Sequence, residues 1–293
     1  MNAIAARASI PAIYQQIIND LQNAQNLLPA SYASGKADPG DRTRPNKWAA
    51  TGLLARLYLY QQRWADAAVA ASAVINSGLY RLESLDSVFL STSQEAILQL
   101  QPVSNTANTA EGNLFLPPDD SLSKPAYALT TFLADAFEQG DGRKQHWTGV
   151  KMIGGIAYPY PFKYKIRDGG YPYGEYEMVL RLAEQYLIRA EARAQQGSFQ
   201  TAVDDLNIIR YRAGLPGLSM PLTQTDLLAA VARERRVELF TEFGHRWLDL
   251  KRTGTAMTNL DQEKNTWKAD AALYPIPQHE IQLNSALTQN PGY

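Results

Sequence analysis

The chain has 293 residues, with 45% hydrophobic and 19% charged side chains, and its 28 Lys and Arg nearly balance 29 Asp and Glu. This length is enough for one large domain or two small ones, and a formal net charge of -1 disfavours a nucleic-acid-binding protein, which is usually basic. The absence of cysteine excludes disulfides, thiolate catalysis and cysteine metal sites.

The first predicted element is an amphipathic helix close to the start of the chain. Apolar residues recur at three-to-four spacing from Ile10 to Leu28, Ser9 can cap the helix, and Pro29 ends it. No window approaches the roughly 18 consecutive apolar residues of a membrane-spanning helix, and the opening MNAIAARASIPAIYQQ has no secretory hydrophobic region or cleavage site. The chain as written is therefore expected to be soluble.

Two helical hairpins follow, each with the pattern of a tetratricopeptide-like pair. The first comes from NKWAATGLLARLYLYQQRWADAAVAASAVINSG, and the second begins at Leu180 and is closed by Gly214. The same spacing of a large aromatic, small and then larger apolar residues occurs in both: Trp64, Ala67, Ala68, Ala71 and Val74, then Phe199, Ala202, Val203, Leu206 and Ile209. Small side chains let two helices approach closely, and the aromatic ring fills the space between them.

Residues 99–176, between the two hairpins, differ from them in composition and periodicity. They carry proline, glycine, asparagine and serine without helical periodicity, apart from a short candidate helix around YALTTFLADAFEQG. The second half of this segment is rich in aromatic residues: Trp147, Tyr158, Tyr160, Phe162, Tyr164, Tyr171, Tyr173 and Tyr176. Such a segment is either a loop layer with a small core of its own or a binding surface.

The most charged stretch is RERRVELFTEFGHRWLDLKRTG, at the end of a helix predicted from Asp226 to Phe243. Its arginines alternate with its glutamates and would keep those carboxyls ionised, which is unsuitable for a general acid. We therefore predict a structural clamp that holds a helix end, formed by Arg235, Glu238, Arg246, Trp247 and Asp249. The alternative is a glycosidase that uses a pair drawn from Glu234, Glu238, Glu242 and Asp249, or His245 as a general base.

Other candidate constellations lack the spacing that their chemistry needs. The three histidines are far apart and do not have the spacing of a zinc site. Asp119, Asp120, Asp135, Glu138 and Asp141 do not form a compact calcium-loop motif, and no GxGxxG, Walker-type or GxSxG motif occurs. The sequence therefore predicts no catalytic residue, no metal and no cofactor.

Several blocks, in order along the whole chain, carry a resemblance to a known family. They are NKWAATGLLARLYLYQQRWADAAVAASAVINSGLY, FKYKIR, RLAEQYLIRAEARAQQGSFQTAVDDLNIIRYRAG, RERRVELFTEFGHRWLDLKRTG and LYPIPQHEIQLNSALTQNPGY. With these blocks the chain resembles the SusD/RagB-like outer-membrane nutrient-binding lipoproteins. The resemblance implies a mainly α fold, in which tetratricopeptide-like helix pairs form an α-α superhelix and a loop-rich segment carries little β structure.

The same resemblance implies a single SusD-like domain over residues 1–293. Its parts would be a helical part with the first helix pair at 9–98, the loop-rich candidate ligand region at 99–176, the second pair with a long helix at 177–254, and a tail packed on the scaffold at 255–293. Family members begin with a signal peptide, a lipidated cysteine and a further third or more of the chain. The present chain is therefore expected to be N-terminally truncated relative to the family.

The function implied by the resemblance is non-catalytic nutrient binding at the surface of the outer membrane. The full-length protein would be lipid-anchored, capture an oligosaccharide or polysaccharide, and deliver it to a SusC-like TonB-dependent transporter. Two alternatives are a RagB-like peptide receptor and a tetratricopeptide-type protein-interaction module, and a glycoside hydrolase is less favoured.

A sugar-binding site needs flat aromatic faces for pyranose rings and polar groups for hydroxyls. Residues 141–176 supply both, and the candidate ligand-binding residues are Trp147, Tyr158, Tyr160, Tyr171, Tyr173, Arg143 and Asp141. We expect Trp147 to be the principal platform. For any single tyrosine, the alternative is that it fills a minor core or belongs to a pair of strands.

Overall fold

A computed structural model describes residues 4–33, 41–103, 108–120, 122–169, 172, 174–264 and 266–293. In chain order, the elements are α1 (Ile10–Leu27), α2 (Lys47–Tyr60), α3 (Trp64–Ile75), β1 (Ala96–Leu100), α4 (Ala110–Phe115), α5 (Thr131–Ala134), α6 (Gly142–Trp147), β2 (Thr148–Ile153), β3 (Ile156–Pro161), β4 (Glu177–Arg181), α7 (Leu182–Gln195), α8 (Phe199–Arg212), α9 (Gln224–Glu238), α10 (His245–Arg252), α11 (Ala256–Glu263), a 3-10 turn (Ala269–Ala272) and α12 (Gln278–Leu283). The predicted mainly α fold with little β structure is confirmed.

The contacts divide the chain into two compact units. The central unit is Leu21–Phe243, and the terminal unit combines Met1–Asp20 with Gly244–Tyr293. Within the terminal unit, a hydrogen bond joins the two ends of the chain: Arg7 Nη1 donates to Asn290 Oδ1 over 2.8 Å. The single SusD-like domain with a tail, predicted from the sequence, stays a prediction.

Both predicted helix pairs are present in the central unit. Helix α2 packs against α3, α7 packs against α8, and α3 contacts α7 so that the two pairs lie side by side. The contacting faces are lined by fully buried small residues, among them Ala67, Ala71, Ala183, Ala190 and Ala194. Each alanine lets two backbones approach closely, and the close packing lets larger neighbours such as Leu187 and Leu206 bury their side chains completely.

One predicted helix begins later than expected and another ends earlier. Leu180, which the sequence placed on a helix, lies in β4, which pairs antiparallel with β1. The helix predicted to reach Phe243 ends at Glu238, because the Glu238 carbonyl accepts side-chain hydrogen bonds from Lys163 Nζ and Arg181 Nη2, each 2.7 Å long. These two cations come from other parts of the chain, and helical periodicity alone could not reveal them.

The loop-rich segment contains an antiparallel hairpin of β2 and β3. Its register runs from Thr148 opposite Pro161 to Ile153 opposite Ile156. The tight turn uses Gly154 and Gly155, whose φ angles of 56° and 80° suit glycine.

Among the residues that the structure describes, no helix has the length and apolar character needed to cross a membrane.

Candidate functional site

Trp147, predicted to be the main ligand platform, is completely buried. Its indole nitrogen donates to the Leu85 carbonyl over 2.8 Å, and its ring meets that of Phe89 edge to face at 5.7 Å between centroids. Tyr164 and Phe240 belong to the same buried cluster. No face of the indole is open to a sugar, so the prediction that Trp147 is a platform is wrong.

Asp141 and Arg143 are also buried, which makes their predicted contact with ligand wrong as well. Asp141 caps the start of α6 by accepting from the Arg143 amide. The Arg143 guanidinium donates to both Asp141 oxygens, and its Nη1 donates to Glu234 at 2.6 Å and to Glu238 at 2.9 Å. A buried guanidinium requires such partners. Trp147, at the other end of α6, is buried as well.

These residues belong to a larger and mostly buried set of paired charges in the central unit, which we call the ion network. Its cations are Arg143, Lys163, Arg181, Arg210 and Arg212, and its anions are Glu95, Glu138, Asp141, Glu234, Glu238 and Glu242. Arg181 lies near the middle, with ion pairs to Glu95, Glu238 and Glu242. The network joins the loop-rich segment, β4, α8 and the end of α9.

The electrostatics of the ion network are unfavourable for acid catalysis. Although burial by itself would raise it, the pKa of Glu238 is held well below its ordinary value by Arg212, Arg181 and Arg143. The pKa of Glu242 is lowered in the same way, against its burial, by Arg181 and Lys163. Burial raises the pKa of Glu234, but this residue is only 3% exposed. The network therefore gives no support to the hydrolase alternative.

The five residues of the predicted clamp fall in both units. Arg235 and Glu238 are buried on α9 of the central unit. Arg246, Trp247 and Asp249 lie on α10 of the terminal unit, where Arg246 pairs with Glu263 at 3.1 Å and Asp249 accepts from Arg252 at 2.7 Å. The participation of Glu238 in the ion network agrees with a structural role, and the clamp as a whole stays a prediction.

Two of the predicted ligand residues, Tyr158 and Tyr160, lie half-buried on one face of the hairpin. Lys151 is opposite Tyr158 and Gly149 is opposite Tyr160, so these four residues share a face of the two-stranded sheet. The Tyr160 ring covers Gly149 so closely that a Cβ there would lie 2.4 Å from it. Lys124 Nζ lies 5.0 Å from the centroid of Tyr158. We call Lys124, Gly149, Lys151, Tyr158 and Tyr160 the hairpin face.

The surrounding loop holds the hairpin face in place through backbone groups. Lys151 Nζ donates to the Pro118 carbonyl over 2.7 Å, and the Leu129 amide donates to the Pro159 carbonyl over 2.8 Å. A narrow crevice also occurs in this part of the chain, lined by Glu111, Phe115, Pro161, Lys163, Tyr164 and Thr241. It has no room for a sugar ring, whereas ligand pockets usually exceed about 300 Å³, so the aromatic face of the hairpin is the better candidate for a sugar polymer.

Sequence comparisons identify the family. A model described as the SusD family matches residues 135–293, more than half of the chain, and a model described as "starch-binding associating with outer membrane" matches residues 1–59. The chain belongs to the SusD family.

Curated and structural relatives within the SusD family cover different shares of the chain. The starch-binding protein SusD of Bacteroides thetaiotaomicron is 36% identical over 125 residues, which are 39% of this chain and 21% of SusD. The SusD-like protein P2 of Formosa agariphila is 27% identical over 344 residues, which cover 96% of this chain and 65% of that protein. A solved structure named as a laminarin-binding SusD-like protein is 27% identical with a TM-score of 0.75, covering 98% of this chain and 70% of its own.

The chain spans between about a fifth and about two thirds of the length of the curated SusD-family relatives that it matches.

Sequence patterns identified only part of the candidate site in this chain. Tyr171 and Tyr173 lie outside the described residues, and their assignment stays a prediction. Lys151 could have been found from its alternation within a strand. Lys124 could not, because the fold brings it to Tyr158 from a loop.

Glu111, which lines the crevice, is predicted to make stability depend on pH. Its burial, together with a hydrogen bond and charge repulsion from Glu177, raises its pKa from 4.5 to about 8. The folded protein therefore keeps a proton on Glu111 that the unfolded chain loses, and this contribution is present at low pH and is lost as pH rises from about 4.5 to about 8. We expect a decrease of about 1 kcal/mol, since the side chain is partly exposed.

The measurement is urea unfolding of the parent and of Glu111→Gln at pH 5.5 and pH 8.5. Glutamine keeps the size of the side chain and cannot ionise, so the variant should lose less stability between the two values. Equal losses in the two proteins would contradict the assignment.

Proposed function

We propose that this chain is the ligand-binding part of a non-catalytic glycan receptor at the surface of the outer membrane. The single observation that carries the proposal is the hairpin face, where Tyr158, Tyr160 and Lys151 lie together on a short sheet and Lys124 reaches Tyr158 from a loop. The names of the SusD-family relatives support the same ligand class, because one is called starch-binding and another laminarin-binding.

The chemistry of the hairpin face suits a neutral sugar. A pyranose ring presents C–H groups on one side, and these pack on an aromatic face. Its hydroxyls accept hydrogen bonds from neighbouring polar groups or donate to them. Tyr158 and Tyr160 provide rings that are two residues apart on one strand, and Lys124 and Lys151 provide ammonium donors beside them. Because both tyrosines lie on the sheet and the Tyr160 ring packs on Gly149, little conformational entropy is lost when a sugar binds.

The proposal includes lipid anchoring and delivery of the glycan to a SusC-like TonB-dependent transporter. The outer-membrane description of the matching family model supports the location. Affinity purification of the full-length protein from its native membrane tests delivery: recovery of an outer-membrane barrel is expected, and recovery without any barrel would count against it.

The ligand class and the hairpin face are tested together by affinity electrophoresis in gels that contain starch, laminarin or no polysaccharide. The parent should be retarded by at least one polymer without releasing products. Tyr158→Ala should weaken binding about fivefold to tenfold, the effect expected from loss of one stacking ring.

Tyr211→Ala is the matched control, because Tyr211 is a 63% exposed tyrosine on α8. Its binding should equal that of the parent. A parent that binds neither polymer would refute the glycan function, whereas equal binding by Tyr158→Ala and the parent would refute only the assignment of the hairpin face.

A further inference from the structure

A second group of aromatic side chains lies in the terminal unit. The ring centroid of Trp247 on α10 is 5.9 Å from that of Trp267, at an interplanar angle of 74°. Tyr274, from the segment after the 3-10 turn, lies 6.0 Å from Trp247 at 55°. The three rings come from separate segments of the chain.

The cluster is anchored on one side and open on the other. Trp247 and Trp267 pack on the small core of Leu250, Ala256 and Leu260 and remain half-buried. Tyr274 is 71% exposed. A stacking platform requires an exposed ring on a rigid base. Such a ring offers contact area to a ligand, and little conformational entropy is lost because few flexible groups must be ordered on binding.

Backbone hydrogen bonds fix the segment that carries Tyr274. The Tyr274 carbonyl accepts from Asn290 Nδ2 over 2.6 Å, and the preceding Leu273 carbonyl accepts from the Tyr293 hydroxyl over 3.0 Å. The main chain is thus held while the phenol ring stays in solvent. Trp267 is positioned by its edge-to-face contact with Trp247 and by its indole nitrogen, which lies 3.3 Å from Met257 Sδ.

A cation lies beside Trp247, and charged and amide side chains are paired on α10 and α11 of the same unit. Lys251 Nζ lies 5.4 Å from the centroid of Trp247, and Arg246 Nη2 contacts Glu263 at 3.1 Å and Asn259 at 3.5 Å. Mixed charges and an amide suit the hydroxyls of a neutral ligand better than they suit a polyanion. The exposed rings also do not recur at helical spacing along one element, as they would in a groove for a partner helix.

We propose that Trp267 and Tyr274, backed by Trp247, form a second sugar-stacking surface for a neutral hexopyranose chain. This terminal aromatic surface deepens the proposed glycan function and rests on it. It lies in a different compact unit from the hairpin face, so substitutions at the two surfaces can be made and measured independently.

The experiment measures binding of starch and laminarin by the full chain and by Trp267→Ala and Tyr274→Ala, using affinity electrophoresis. Each substitution is expected to weaken binding of a polymer about fivefold to tenfold. Tyr274→Ala removes an exposed ring and leaves the core of the terminal unit intact, so its result does not depend on whether Trp267→Ala folds. Tyr211→Ala again serves as the exposed-tyrosine control.

The outcomes separate this inference from the general function. Parental binding that Tyr274→Ala weakens and Tyr211→Ala does not would support the terminal aromatic surface. Parental binding that neither Trp267→Ala nor Tyr274→Ala changes would overturn it and leave the glycan function intact. A parent that binds no polymer would overturn both.

Discussion

Arg181→Met is expected to lower the free energy of unfolding by about 3–5 kcal/mol, the range found when one partner of a buried ion pair is removed. The Arg181 side chain is 2% exposed and pairs with Glu95, Glu238 and Glu242. Methionine fills much of the volume but leaves three buried carboxylates with fewer cations. Chemical denaturation of the two proteins at the same pH measures the difference.

Arg81→Met is the matched control for that measurement. Arg81 pairs with Glu83 at 3.3 Å, but its side chain is 73% exposed, and such pairs contribute roughly 1 kcal/mol or less. We therefore expect the control to stay within about 1 kcal/mol of the parent. If Arg181→Met were equally close to the parent, the ion network could not be a major source of stability.

The periodicity of the chain was sufficient to predict the helix pairs. The regular spacing of aromatic, small and larger apolar residues along α3 and α8 reflects the contacts of each helix with its partner in the pair. These partners are close in sequence, so the contacts appear as a local pattern. Helix ends were harder to predict when side chains from elsewhere capped them. The end of α9 depends on Lys163 and Arg181, which come from segments outside the helix.

The candidate site was less predictable because its residue types serve both burial and binding. Arg143 is 91 residues from Glu234 and 95 residues from Glu238 in sequence, so no local pattern shows that it is a buried pairing partner. The charge run from Arg233 was predicted to be structural because its opposite charges are neighbours along the chain. For Tyr158 and Tyr160, the sequence could not decide between ligand contact and burial. Alternation along a strand shows which face of the sheet carries a ring, but not whether other residues cover that face.

The ion network also explains how a loop-rich segment can hold a rigid hairpin. Arg143 and Lys163 flank β2 and β3 in sequence, and both are fixed by carboxylates of the α9 region, namely Glu234, Glu238 and Glu242. Charges therefore position the base of the hairpin, while its aromatic face remains accessible. If the hairpin face binds glycan as proposed, stability and binding depend on different residues, and substitutions can distinguish them.

Trp147→Ala provides that distinction and is expected to lower the free energy of unfolding by about 3–5 kcal/mol. The substitution removes a completely buried indole from contact with Phe89 and the other rings of its cluster, and it removes the hydrogen bond to Leu85. Trp147→Phe keeps most of the volume and should lose clearly less. Thermal unfolding compares the two variants with the parent.

The same two variants decide between burial and ligand contact at this position. Under conditions where each variant is folded, binding of starch or laminarin should remain close to that of the parent, because the indole reaches no solvent. A ligand platform would show the opposite behaviour, with binding lost and stability kept. Observation of that pattern in Trp147→Ala would require a different conformation of α6, in which Arg143 releases Glu234 and Glu238 on α9 and the indole turns outward.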